Sequence, residues 1–198
     1  MIAWKEMWDR SFPSRKEEWA GTYTLPRELT VEDGRLIQRP VREIEACRRD
    51  PVYVNEVVVS DREISLPGIS GNVIELRFTL SECKAAKAGV KLFCGEDCET
   101  LLYYDANEGL LVFDRQNAGV VLTGQEKDVN RRVCELGPRD NLAFDLFLDV
   151  CSLEAFIDGG RHTMTGNVYP DPEKATGIRF FAEGGSAVFL HVEKYTIV

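Results

Sequence analysis

The residues of this chain best able to do chemistry are its acids. It has 33 aspartates and glutamates, and two carboxyl groups that face each other across a glycosidic bond are what a glycosidase uses. In so acidic a chain, chance would bring many such pairs together, so composition alone selects none. We expect most of these acids to lie on solvated strand faces and in turns, as Asp and Glu usually do.

Nucleophilic catalysis has little support in the sequence. Only His162 and His191 could act as the base. His191 lies in the alternating segment "FLHVEKY" and His162 follows a Gly-Gly turn, so both fit structural roles. The chain has no Gly-x-Ser-x-Gly elbow. The pieces "DGGR" and "AEGGS" indicate hairpin turns rather than phosphate loops, because each leads into a strand pattern.

The cysteines do not predict a metal site or a disulfide framework. The six are Cys47, Cys83, Cys94, Cys98, Cys134 and Cys151. Their spacing is irregular and the N-terminus "MIAWKEMWDR" does not read as a secretory signal, so we expect mostly buried free thiols in a reducing cytoplasm. Only Cys94 and Cys98 are close, and zinc needs further ligands. The loop "DANEG" starts like a calcium loop but has Gly109 and Gln116 at ligand positions. No cofactor or metal is expected.

Charge and hydropathy exclude two classes of partner. The net charge is -9, whereas a nucleic-acid partner would call for a basic face. No apolar run approaches the roughly 20 residues of a transmembrane helix. A chain of 198 residues is the size of one ordinary domain, with room for a fragment of a second.

Hydrophobic alternation predicts an all-β fold. In "NVIELRFTL" and "NLAFDLFLDV" every second residue is apolar, which is typical of half-buried strands. Shorter strand patterns follow at intervals of about ten residues, separated by polar, Gly-containing turns; they are "GVKLFC", "TLLYYD", "GLLVFDR", "SLEAFIDGG", "HTMTGNVYP", "TGIRFFAEGG" and "SAVFLHVEKYTIV". This spacing indicates an antiparallel sandwich or barrel.

Helix signals are few, and the first 40 residues differ from the rest. Residues 41–49 predict a helix of two turns after Pro40, and residues 81–89 predict one turn or a loop. All three tryptophans lie in the first 40 residues, which contain too few strands for a core of their own. This segment must therefore pack on the sandwich, unless its natural partner is missing.

The N-terminal segment carries a recognisable pattern. A Trp closes an apolar strand, a second Trp follows, and then come a W-x-G segment, "LPREL" and a G-x-L-x-Q-x-P run. These are Trp4, Trp8, Trp19 and Gly21, residues 25–29, and Gly34, Leu36, Gln38 and Pro40. The pattern resembles the end of the catalytic module of glycoside hydrolase family 32, the family of invertases, sucrose-6-phosphate hydrolases, inulinases and levanases. The later "GLLVFDRQNAG" and "FLDVCSLEAFIDGGRHTMTGNVYPDP" also resemble segments of this family, with Cys151, Ser152 and Asp158 at variable positions.

The resemblance implies a five-bladed catalytic β-propeller followed by a C-terminal sandwich, which would be concanavalin-like or jelly-roll-like. The family's catalytic carboxylates lie in the propeller, in Asn-Asp-Pro-Asn, Arg-Asp-Pro and Glu-Cys-Pro motifs. Glu82-Cys83 lacks the proline, and the Arg-Asp-Pro at residues 49–51 comes after "LPREL" instead of before it. We therefore expect no catalytic residue in this chain.

The resemblance also predicts an organisation. Residues 1–31 would be the remnant of the last propeller blade, residues 32–50 a linker with a short helix, and residues 51–198 the sandwich. The propeller–sandwich junction would include Trp8, Trp19, Pro26, Arg27 and Glu28. Trp4 would lie near the sugar cleft and could contact substrate only in the intact enzyme.

Three roles remain open from the sequence. The chain could be a non-catalytic C-terminal part that packs on and stabilises the missing propeller and is inactive alone. It could be a free-standing carbohydrate-binding module, with Tyr103, Tyr104 and Tyr169 as platform residues. It could also be an oligomerisation piece, since a fragment that exposes the surface formerly packed on the propeller should show an apolar patch and self-associate.

Overall fold

A computed structural model describes residues 1–6, 10–19, 21–124 and 130–198. These ranges contain two short 3-10 helices, Pro13–Glu17 and Arg42–Cys47; we call the second the linker helix. The strands are β1 (Arg27–Glu32), β2 (Arg35–Pro40), β3 (Arg48–Ile64), β4 (Ile74–Ser81), β5 (Lys87–Cys94), β6 (Thr100–Asp105), β7 (Leu110–Asp114), β8 (Arg131–Glu135), β9 (Asn141–Asp149), β10 (Ser152–Ile157), β11 (His162–Asn167) and β12 (Gly177–Ile197). The prediction of an all-β fold is confirmed.

The strands form a hairpin and a folded antiparallel sheet. β1 pairs only with β2, and the other ten strands share one sheet in the order β11-β10-β9-β4-β12-β5-β6-β7-β8, with β3 also paired to β12. The C-terminal half of β12 pairs with β4, and its N-terminal half pairs with β5. The sheet therefore divides along β12 into layer A (β11, β10, β9, β4) and layer B (β5, β6, β7, β8), which enclose one core.

A bulge lets β12 pass from one layer to the other. Gly184 and Gly185 have φ values of 72° and 139°, which L side chains rarely adopt. The Gly185 N–H donates to Asp61 Oδ1 of β3 at 2.9 Å, and the register shifts between Ala182 and Ser186. The sequence analysis interpreted "AEGGS" as a hairpin turn between two strands, and this was wrong. The glycines bend a single strand of 21 residues without reversing it.

The inner faces of the layers follow the predicted alternation. Every apolar residue of that pattern in β4 and β9 is buried: Ile74, Leu76, Phe78, Leu80, Leu142, Phe144, Leu146 and Leu148. Phe78 stacks on Phe144 with ring centroids 4.6 Å apart, and Phe180 of β12 meets Phe78 edge-on at 5.6 Å. Such aromatic pairs add stabilisation beyond the area they bury.

The outer face of layer A is covered too, which the half-buried pattern did not predict. Glu75, at the first polar position of "NVIELRFTL", is 0% exposed, and Phe147 and Phe156 are also buried. The cover is formed by the described part of residues 1–47, whose hairpin and linker helix lie over this face. Strands covered on both sides can carry large residues on both faces.

The remaining differences are local. The helix predicted over residues 41–49 is the 3-10 helix Arg42–Cys47, and residues 82–86 form bends and a loop between β4 and β5. β3 was not predicted as a strand. Its 17 residues are mostly exposed and include Pro51. An edge strand tolerates proline, which lacks a backbone N–H, because one of its sides forms no hydrogen bonds with a neighbouring strand.

Candidate functional site: the covered face of layer A

The covered face of layer A is an ordered set of polar and aromatic side chains. Strand register aligns Glu75, Phe147 and Glu154 across β4, β9 and β10. Two buried glutamates thus flank one phenylalanine. Glu154 is 2% exposed, and so deeply buried a carboxylate needs a cationic or hydrogen-bonding partner.

Arg27, from the start of β1, is the partner of Glu154. Its Nη2 donates to Glu154 Oε2 at 2.6 Å, and the Leu25 N–H donates to Oε1 at 2.7 Å. Arg27 also donates to Thr165 Oγ1 at 2.7 Å and to Gln38 Oε1 at 2.9 Å. We call this group the Arg27–Glu154 clamp, because it fixes the "LPREL" segment to the "SLEAF" strand.

Phe156 completes the clamp on its apolar side. The Arg27 guanidinium carbon lies 5.0 Å from the centre of the Phe156 ring, a cation–π arrangement. Lys5 adds a second positive charge, with Nζ 3.8 Å from Glu154 Oε1. Removing one partner of such a buried pair leaves the other charge uncompensated, which typically costs about 3–5 kcal/mol.

A second clamp joins the end of the linker to β4. Arg48 Nε and Nη2 donate to the two oxygens of Glu75 at 2.6 and 2.7 Å, a bidentate geometry typical of strong Arg–carboxylate pairs. The hydrogen bonds to Glu75 raise the pKa of Arg48. Arg48 also lies over the ring of Tyr195, 4.9 Å from its centre. We call this group the Arg48–Glu75 clamp.

Described residues before Arg27 are held by hydrogen bonds. Lys5 Nζ donates to Ser152 Oγ at 2.9 Å, and Asn167 Nδ2 donates to Thr22 Oγ1 at 3.4 Å. The N-terminal ammonium donates to the Arg27 carbonyl at 2.6 Å. This polar docking differs from the packed apolar core between the layers.

The predicted junction residues lie in different environments. Arg27 is 6% exposed and central to its clamp, whereas Pro26 and Glu28 are exposed. Glu28 Oε1 lies 3.5 Å from Arg42 Nε on the linker helix. Trp19 is 41% exposed, and Trp8 lies outside the described residues.

Trp4 belongs to an exposed apolar surface at the N-terminus. Met1, Ile2, Trp4, Trp19 and Tyr23 are between 41% and 70% exposed, and Trp4 pairs with Tyr23 in an isolated β-bridge. We call these five residues the N-terminal apolar patch. So many exposed large apolar side chains in one short segment are a mark of an interaction surface.

The three tyrosines considered for sugar binding do not form an exposed platform. Tyr103 and Tyr104 are 7% and 2% exposed. The Tyr104 hydroxyl donates to the Gly137 carbonyl at 3.0 Å and accepts from the Arg139 N–H at 3.1 Å. Tyr169 is half-buried, and burial is the main cause that raises the pKa of its hydroxyl to about 12.

The nucleophile and metal candidates fit structural roles. Cys134 Sγ lies 3.6 Å from His162 Nδ1. Burial raises the pKa of the Cys134 thiol and lowers the pKa of His162, so the pair is held neutral rather than as thiolate and imidazolium. Across the described residues, no three His, Cys, Asp or Glu side chains are placed to hold a metal ion. No helix in the described ranges is long and apolar enough to cross a membrane.

Comparison with known proteins identifies the class. Residues 43–197 match the family described as "Glycosyl hydrolases family 32 C terminal", and residues 1–40 match "Glycosyl hydrolases family 32 N-terminal domain". The chain belongs to glycosyl hydrolase family 32. The two matches meet between residues 40 and 43, at the start of the linker helix. The division at residues 31 and 50 stays a prediction, and β1 itself runs across residue 31.

The relatives are longer than this chain. The sucrose-6-phosphate hydrolase of Zymomonas mobilis is 34% identical over 203 residues, which are 100% of this chain and 38% of the relative. The levanase of Bacillus subtilis is 26% identical over 93% of this chain and 28% of its own length. The solved sucrose-6-phosphate hydrolase of Lactobacillus gasseri superposes with a TM-score of 0.81 at 24% identity, over 100% of this chain and 38% of that one. This chain thus corresponds to a C-terminal fragment of these proteins.

Proposed function

We propose that this chain is the non-catalytic C-terminal part of a β-fructofuranosidase-type glycoside hydrolase, and that it stabilises the catalytic propeller by packing on it. The Arg27–Glu154 clamp is the observation that carries the proposal. Arg27 lies in the stretch that matches the N-terminal domain of the family, and Glu154 in the stretch that matches the C-terminal domain. A buried ion pair, with Nη2 and Oε2 at 2.6 Å, therefore joins the end of one domain to the sandwich of the other.

The names of the relatives support the class of substrate. They include hydrolases of sucrose 6-phosphate, a raffinose invertase and a levanase. We infer that the intact enzyme cleaves sucrose, sucrose 6-phosphate or a fructan by the retaining mechanism that the family resemblance implies. In that mechanism, an Asp nucleophile forms a fructosyl-enzyme and a Glu protonates the leaving group. Both residues would lie in the propeller, outside this chain.

The N-terminal apolar patch is the second contact that we assign to the propeller. If residues 1–40 continue its last blade, then Trp4 and Tyr23 face the rest of that domain. Burying apolar surface there would contribute about 25 cal/mol per Å². The direct contact of Trp4 with substrate in the intact enzyme remains part of this proposal.

A graft tests the proposal. The chain would replace the matching C-terminal 38% of the Zymomonas mobilis sucrose-6-phosphate hydrolase. The graft should fold and hydrolyse its substrate, and Glu154→Gln in the graft should lower its unfolding temperature. A soluble graft whose stability does not respond to Glu154→Gln would contradict the role of the clamp.

We further propose that the chain works in a reducing compartment, the cytoplasm. All six cysteines are free in the structure, and persistent free thiols are typical of reducing compartments. Cys94 is buried and the other five are half-buried. Titration of the denatured chain with a thiol reagent, without reductant, should detect six free thiols. A smaller number of free thiols would indicate disulfides.

A further inference from the structure

Asp145 occupies a position on the covered face that a carboxylate does not favour. Strand register places it between Arg77 of β4 and Phe156 of β10. It lines a cavity of ≈ 310 Å³ under the hairpin and the linker helix. Its Oδ1 is buried, and no described residue donates a hydrogen bond to it. A buried carboxyl oxygen without a donor is stable as the neutral acid rather than as the anion.

Its neighbour Glu75 makes a negative charge at Asp145 still less favourable. Both Glu75 oxygens are taken by Arg48 at 2.6 and 2.7 Å, so the charge of Arg48 is committed to Glu75. The Arg77 side chain is 45% exposed and its Nη1 lies 3.5 Å from Glu193. Burial, followed by the charge of Glu75, raises the pKa of Asp145 to about 7.

The other charges around this cavity already sum to a net negative charge without Asp145. Four arginines and five glutamates face it or form ion pairs with its lining residues. They are Arg48 and Glu75 of the clamp, Arg77 of β4 with Glu193 of β12, Arg42 and Glu45 of the linker helix, and Arg39, Glu28 and Glu32 of the hairpin. β10 contributes the uncharged Phe156. An ionised Asp145 would therefore add a further, uncompensated negative charge.

We propose that Asp145 keeps its proton at neutral pH and uses it to donate a hydrogen bond to Glu75, which makes the Arg48–Glu75 clamp a pH-sensitive latch on the linker. The unfolded chain releases the same proton near pH 4. The folded chain thus binds one more proton between about pH 4 and pH 7, and its stability falls as pH rises through that window. Above it, ionised Asp145 repels Glu75 and competes for Arg48, the residue that joins the linker helix to β3. The latch involves only this chain and does not depend on the proposed function.

Asp145→Asn tests the latch, because an amide mimics the protonated acid. Denaturant unfolding would be followed from pH 5 to pH 9. Relative to Asp145→Asn, the folding equilibrium constant of the unmodified chain should fall about tenfold per pH unit between about pH 5 and pH 7, then level off. Asp140→Asn, at an exposed position just before β9, should keep the unmodified profile. Parallel profiles for Asp145→Asn and the unmodified chain would overturn the proposal.

Two further measurements need no variant that could fail to fold. In a carbon-13 NMR titration of the folded chain, the assigned Asp145 carboxyl should titrate near pH 7; a midpoint near pH 4 would overturn the proposal. Amide exchange over Arg42–Cys47, corrected for its intrinsic pH dependence, should lose protection above about pH 8. Unchanged protection would show that the proton does not control the linker.

Discussion

Two glutamates on the covered face depend on arginines from the segment that covers them. Glu154 binds Arg27, and Glu75 binds Arg48, in each case with a contact of 2.6 Å. Each arginine also lies over an aromatic ring of the sheet. Because the polar atoms are out of water, geometry decides whether such pairs are stabilising. Here several hydrogen bonds satisfy both carboxylates and the Nη atoms of Arg27, whereas Arg27 Nε is buried without a hydrogen-bond partner among the described residues.

We predict that Glu154→Gln destabilises the chain by about 3–5 kcal/mol. The amide keeps the size of the side chain but leaves the 6% exposed Arg27 without its counter-charge. Lys5, whose Nζ lies 3.8 Å from Glu154 Oε1, loses part of its compensation as well. Denaturant unfolding at neutral pH measures the difference in the free energy of unfolding.

Glu32→Gln is the matched control. Glu32 also binds an arginine, Arg39, at 2.8 Å, but both side chains are about 40% exposed. Solvent screens this pair, so its loss should not change stability measurably. Equal losses for the two variants would show that burial does not set the strength of the Arg27–Glu154 clamp.

The β10–β11 hairpin and the β1–β2 hairpin meet at a glycine. Gly160 has a φ of 89° and its carbonyl accepts the Gln38 N–H at 3.0 Å. A Cβ at Gly160 would lie 1.9 Å from the Gln38 carbonyl oxygen. Only glycine therefore permits this approach of the two hairpins.

We predict that Gly160→Ala separates the hairpins and destabilises the chain more than Gly159→Ala. Gly159 also has positive φ, 66°, but a Cβ there meets no atom within 4 Å. Gly159→Ala should thus show only the left-handed backbone cost of about 1–2 kcal/mol. Thermal unfolding of the two variants compares them directly, and equal losses would contradict the close contact.

Much of the fold could be predicted from the sequence, because the inner faces obey a period of two. The alternation in β4 and β9 places Leu76 and Phe144 correctly in the core. β12 could not be predicted as one strand, because Gly184 and Gly185 signal a turn as readily as a bulge. β3 was missed although Val52, Val54, Val57 and Val59 pack on the core, because Pro51 and the apolar run of residues 57–59 obscure its alternation.

The covered face could be predicted only in part. The family pattern pointed to Arg27, but nothing distinguished Glu75 and Glu154 from the other acids, most of which were expected on solvated strand faces and in turns. Their burial depends on a segment far away in the chain, and strand periodicity carries no information about such a cover. The local signals are Phe147 and Phe156, large apolar residues on the same face as Glu75 and Glu154, which a solvated face does not favour.

At the scale of the whole molecule, the N-terminal apolar patch keeps a large exposed surface in the described part of the chain. Tyr23 is 70% exposed and Ile2 is 59% exposed. We predict that the isolated chain self-associates through this patch at high concentration, and that Ile2→Lys with Tyr23→Lys shifts it toward the monomer. Light scattering after size exclusion over a concentration series measures this; a chain that stays monomeric throughout would contradict it.

The most direct test of the central claim is hydrolysis by the purified chain itself. Sucrose, sucrose 6-phosphate and levan would be incubated with the chain, and released fructose measured, with the Zymomonas mobilis graft as the active comparison. We predict that the graft releases fructose and that the chain alone does not, because we propose that the catalytic carboxylates lie in the propeller, outside this chain. Fructose released by the chain alone, in proportion to its concentration, would contradict the non-catalytic role.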